Sequence, residues 1–162
     1  MPEVICNTSP IQYLHQLDLL NLLPALVGSV TVPPAVVEEL SEGQRLGVNL
    51  PNPLSLSWII VRSPVSAPAL RLITDLGPGE SEVLALALET PNSVVILDDD
   101  LARRTAEMSG IRLTGTLGML LDAKQAGLLE EIAPLLERLQ TLGFRLSQGT
   151  KAAVLRIAGE AL

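Results

Sequence analysis

The stretch Ser93-Val94-Val95-Ile96-Leu97-Asp98-Asp99-Asp100-Leu101-Ala102-Arg103-Arg104 sets a β-branched, aliphatic run directly against three consecutive aspartates. The apolar half reads as a short buried strand. The acidic half is harder to explain. Adjacent carboxylates repel one another, and each costs free energy to desolvate unless something positive answers it. A solvated turn is one solution, and a metal ion is another.

Working outward, downstream of the aspartates the pattern predicts a helix from about Leu101 to Met108 and a strand over Ile111–Thr114. Gly115-Thr116 then leads into a helix ending near Ala126, and two more helices follow, near Glu130–Leu142 and Gln148–Glu160. Upstream, Gly77-Pro78-Gly79 starts a helix carrying ESEVLALALE, which is apolar on nearly every side after its first turn and is therefore expected to be buried. Trp58–Arg62 is a candidate edge strand, and Gly43–Ser57, rich in Gly, Pro and Asn, is the expected long loop. Ser29–Val32 reads as a strand, with Pro33-Pro34 opening the helix that holds VVEEL. Glu3–Cys6 reads as the first strand. After it, Ser9 caps and Pro10 opens a helix expected to run to about Leu23.

Val/Ile-rich strands alternating with helices indicate an α/β domain with a mainly parallel sheet. Ligands of such sheets bind beyond the carboxyl ends of the strands. Three polar groups occupy those ends: Asn7, Asp98-Asp99-Asp100, and Gly115-Thr116. Their arrival on one edge is more informative than any of them alone.

Composition limits what such an edge can do. The 162 residues suit one compact domain (1–162), with the helices from about 130 onward packing on the core or forming a dimer contact. With 48% hydrophobic and 18% charged residues, the chain is globular in type. No apolar run reaches membrane-spanning length, and MPEVICNTSP lacks the pattern of a secretory signal. Cys6 is the one cysteine, which excludes an internal disulfide and suits a reducing cytoplasm, the expected location. A net charge of −7 excludes a generally phosphate-binding surface, and 2% aromatics leaves few stacking platforms for bases. Nucleic acid, if handled, is handled at a local site.

Two helices bring further acids. Val36, Val37 and Leu40 define the buried face of VVEEL, which puts Glu38 nearly opposite and Glu39 at the flank, able to lean into a cleft. Glu80 and Glu82 lie in the first turn of their helix, where they also complement its dipole. Magnesium and manganese are hard cations that prefer such oxygens. Two of these ions can drive an in-line phosphodiester displacement without histidine or cysteine. Simpler readings compete. A turn and a helix cap account for one or two of the three aspartates, Cys6 and His15 read as ordinary packing residues, and Arg103-Arg104 read as solvated charge.

The order NTSPI, VPPAVVEEL, LGPGESEVLALALE and VVILDDDLARRTAEMSGIRLTGTLGMLL, with AKQAGLL and GFRLS after it, resembles the PIN-domain nucleases. Within them it is closest to a PIN-like subgroup catalogued as a domain of unknown function. The resemblance covers nearly the whole chain. It implies a three-layer α/β/α fold with a mainly parallel sheet and a pocket for Mg2+ or Mn2+. It further implies an RNA-cleaving hydrolase, as in the toxins of toxin–antitoxin pairs, with an antitoxin partner and a homodimeric state. Carried over, the acid positions fall at Asn7, Glu39, Glu82 (Glu80 being the neighbouring candidate) and Asp99, with Asp98 beside it. Metal ligation then falls to Glu39, Glu82, Asp98 and Asp99. Arg103 falls where it can pair with the aspartates or touch phosphate, and Thr8, Ser9 and Thr116 fall at pocket-lining hydroxyl positions. Asn7 stands where the nucleases carry aspartate. An amide oxygen still ligates hard cations, but with less attraction.

Two rival readings remain. One is a catalytically inactive PIN-like module that binds a protein partner. The other is a phosphotransfer domain, which would require an acid where Asn7 stands and a lysine near Thr114–Thr116.

Overall fold

The computed structural model describes residues 1–65 and 75–161. Its centre is a five-stranded, all-parallel sheet of β1 (Glu3–Cys6), β2 (Val30–Val32), β3 (Ile59–Val61), β4 (Ser93–Ile96) and β5 (Arg112–Thr114), ordered β3-β2-β1-β4-β5. Parallel neighbours require crossovers, and helices supply them. These are α1 (Thr8–Gln16), α2 (Leu22–Val27), α3 (Pro34–Arg45), α4 (Pro78–Glu89) and α5 (Asp100–Met108); after the last strand come α6 (Thr116–Gln125), α7 (Ala133–Thr141) and α8 (Gln148–Ile157). The layers are α/β/α, as the sequence pattern and the resemblance imply.

β1 is the middle strand. Val4 pairs with Val94 and Cys6 with Ile96 on one side, and Ile5 with Thr31 on the other. The order reverses here, since β2 and β3 continue outward on one side and β4 and β5 on the other. A crevice at such a switch point is where open α/β sheets bind ligands. Ile5, Cys6, Val30, Val32, Val95 and Ile96 are all fully enclosed, as strands covered on both faces require. β3 and β5 are the edge strands, and on β3 Ile60 and Val61 are exposed to solvent.

α4 is buried along most of its length, from Val83 to Ala87, in keeping with its unbroken apolar pattern. The C-terminal helices contribute Leu136, Leu139 and Val154 to the same core as the strands. Glu160 ties this end together. It accepts hydrogen bonds from Lys124 and from the Ile132 and Ala133 N–H groups, and the Lys124 bond is the main reason its carboxyl lies below the usual range.

The first helix departs from expectation. It ends at Gln16 and not near Leu23, because Asp18 adopts φ +59° and Leu17 turns the chain with bonds back to α1; α2 then starts afresh. The loop expected from Gly43 begins later, since α3 continues to Arg45, and a single 3₁₀ turn at Pro53–Ser55 interrupts it. Among the described residues no helix is long and apolar enough to cross a membrane.

Candidate metal and phosphate site

Asn7 ends β1 and precedes α1, continuing the ladder through its N–H to Ile96 O (3.1 Å). It occupies an N-cap position, where asparagine ordinarily bonds the helix N–H groups, yet its side chain makes no such bond. Asn7 is 2% exposed, and its Oδ1 has no hydrogen-bond partner. A buried acceptor left unpaired costs about 1–3 kcal/mol and calls for an explanation.

The surroundings supply one. Glu39, on the flank of α3, accepts hydrogen bonds from Thr8 Oγ1 and from the Gly79 N–H (3.0 Å). Gly79 is what permits this approach. A Cβ there would stand 2.7 Å from both Glu39 carboxylate oxygens and 3.0 Å from Asn7 Oδ1. The amide oxygen and the carboxylate therefore face the same small space. Glu80 joins them. Burial first, and then the charges of Glu39 and Asp99, push its carboxyl above the ordinary range, against hydrogen bonds that include one from Asn7. Glu38 is exposed, as the wheel predicts.

The other half of the rim is arranged differently. Asp98 accepts from Thr116 N (2.8 Å) and Thr116 Oγ1 (2.6 Å), which fastens the end of β4 to the start of α6. Burial still raises its carboxyl, with the Thr116 bonds and the Arg103 charge opposing. Arg103 donates to Leu97 O (2.8 Å). Asp99 caps α5 through the Ala102 N–H (2.9 Å), and Glu82 accepts the Ala35 N–H (2.8 Å) at the start of α3. Ser9 lines a cleft with Glu80, Asp98 and Asp99. Cys6 and His15 form no reactive pair. The Cys6 thiol is enclosed, pushed up by burial and bonded to Asn7 O, while His15 meets Asn49.

The structure thus brings Asn7, Thr8, Glu39 and Glu80 together. Asp99 lies near enough to act on Glu80 by charge, while Asp98, Thr116 and Arg103 form an adjoining network. Among the described residues, no three acid, histidine or thiol groups converge on one point to hold an ion. A cation here would use two carboxylates and the orphaned amide oxygen. That set is all oxygen and suits magnesium or manganese, which take few protein ligands and keep water.

Sequence reasoning missed Phe144 and Arg145, which line two adjoining clefts of about 850 and 270 Å³ together with Asp98 and Asp99. A usable signal was present, because Gly143 after an amphipathic helix marks a C-terminal cap that orders the residues following it.

Residues 3–160 match the family model described as DUF3368, PIN domain. No curated protein matches the chain.

Proposed function

Since the chain belongs to the PIN-domain family, a nuclease superfamily, we propose that it is a divalent-metal-dependent ribonuclease acting through the Asn7–Glu39–Glu80 half of the rim. The observation that carries this reading is the Asn7 side chain, whose buried, unpartnered oxygen shares its space with the Glu39 carboxylate. Such an atom is costly in an apoprotein and useful to a hard cation.

Glu39, Glu80 and Asn7 would hold the ion, and Asp99 would add negative charge from the α5 terminus. When bound, magnesium or manganese supplies an activated water and positive charge for the phosphodiester's leaving oxygen. The protein's own share is positioning. Thr8 orients Glu39 by its hydrogen bond, and the Asp98–Thr116 pair locks the β4 and β5 ends together. Arg103, held by Leu97 O, is within reach of a phosphate in the larger cleft. Glu82 steadies the α3 terminus that carries Glu39. A toxin role with an antitoxin partner, a homodimer and a cytoplasmic setting belong to the same reading and rest on the resemblance.

The test is cleavage of mixed structured RNAs with manganese. Wild-type protein is expected to cut them, chelator to stop it, and Glu39→Gln and Asp99→Asn to slow it. A second reading, a partner-binding module, is favoured by the neutral Asn7 in the usual acid position. Absence of cleavage together with absence of any manganese effect on thermal stability at millimolar metal would decide for that module.

A further inference from the structure

Arg145 lies 42 residues beyond Arg103 in the chain, yet both line the larger cleft. Arg145 also lines the smaller one, with Glu80 and Asp99. Among the described residues it makes no hydrogen bond or ion pair, whereas Arg45, Arg62, Lys124, Arg138 and Lys151 are each matched to a carboxylate. Among the described residues Arg104 and Arg156 are unmatched too, but they line neither cleft; of the three, Arg145 is the one set beside the acids.

Its backbone is fixed. α7 ends in a double-bonded cap, with Gly143 N–H to Gln140 O (3.1 Å) and Phe144 N–H to Leu139 O (2.9 Å), and with Gly143 at φ +98°, where any Cβ is strained. Phe144 then sets its ring edge-on to Tyr13, centroids 5.0 Å apart and planes at 84°, which pins the loop to α1. Just past Arg145, Ser147 and Thr150 line the larger cleft at the start of α8, whose first turn has no acid to oppose an anion.

We propose that Arg145, with Ser147 and Thr150, forms a second phosphate-binding subsite that holds single-stranded RNA next to the cleaved bond; this rests on the ribonuclease reading above. The Arg145 guanidinium engages a backbone phosphate in bidentate fashion in the cleft it shares with Arg103, so that the strand passes the acidic site in reach of two cations. Local cations of this kind allow an acidic protein to bind RNA without a basic surface.

The test is fluorescence anisotropy of a labelled single-stranded 12-nucleotide RNA, with calcium as the divalent ion, on wild type, Arg145→Gln and Arg156→Gln. Arg156 lines neither cleft and controls for net charge. Arg145→Gln is expected to weaken binding about tenfold and to reduce the salt slope by about 0.7, one phosphate contact on a single strand. Arg156→Gln is expected to bind like wild type, and the manganese thermal shift of Arg145→Gln is expected to be unchanged. Equal affinity and slope for wild type and Arg145→Gln overturn the subsite while leaving the ribonuclease reading intact. A wild-type protein that neither binds nor cuts RNA overturns both.

Discussion

Asp98 at the end of β4 and Glu39 on α3 are both half-buried carboxylates near the end of β1, yet they are satisfied in opposite ways. Asp98 has two bonds from Thr116, one to each carboxylate oxygen, and the charge of Arg103 nearby, which together oppose the rise that burial imposes on its carboxyl. Glu39 has Thr8 and the Gly79 N–H, but it faces Asn7 Oδ1, which nothing answers, and its charge raises the Glu80 carboxyl. In one half of the rim both carboxylate oxygens are bonded as folded, and in the other a buried acceptor is left without a partner. Similar side chains thus serve two purposes, and what separates them is how many partners the fold supplies.

This contrast can be attacked from several sides. The largest expected effect is catalytic. Glu39→Gln should lower manganese-dependent RNA cleavage about a hundredfold or more, since metal stabilisation of the transition state amounts to several kcal/mol; an active Glu39→Gln would erase the difference between the halves. Next is Asp98→Ala, which strands Thr116 and should cost about 2 kcal/mol of stability by urea denaturation. A cost near zero would mean the completed half is not structurally engaged.

Asn7→Asp sharpens the comparison from the other side. A third carboxylate should tighten manganese binding about tenfold or more by calorimetry, while lowering the metal-free melting temperature through a buried, unpaired charge. Smaller still is Asp99. Its replacement by alanine removes a helix cap and should cost about 1 kcal/mol, whereas Asp99→Asn keeps the cap and loses only the charge. Similar melting temperatures for the two variants would discount the cap.

The pH dependence is the mildest effect. Because the Glu80 carboxyl is raised above its usual 4.5, the folded state keeps a proton that the unfolded chain has released. Without metal, stability contributed by this group is present below pH 4.5 and is lost as pH rises through the raised value. Manganese must displace the same proton, so its affinity should climb over that window and then level off. Glu80→Gln should flatten both trends in melting curves, leaving the part due to Asp98, which is also raised.

Much of this was legible in the chain. The parallel sheet followed from VVIL and EVIC, and the shared edge of Asn7, Asp98 and Thr116 followed from strand ends alone. The wheel of VVEEL separated Glu39 from Glu38, because a helix face is fixed by its own apolar residues. The same logic could not separate Glu80 from Glu82. The structure puts Glu80 alone in the first turn and Glu82 just past it, on a helix buried nearly all round, so their directions depend on how α4 packs against α3, a tertiary fact. The overrun of α1 had a local cause that composition hides, namely the left-handed turn at Asp18. Arg145 was invisible for a third reason. Its relation to the rim is set by the α7 cap and the Phe144–Tyr13 contact, neither of which periodicity encodes.

The most direct trial of the central claim is a manganese titration followed by thermal melting of wild type, Glu39→Gln and Asp98→Asn. The account expects the wild-type melting temperature to rise with metal, the rise to vanish in Glu39→Gln, and most of it to survive in Asp98→Asn. Equal loss in both variants, or no rise in wild type, would contradict it.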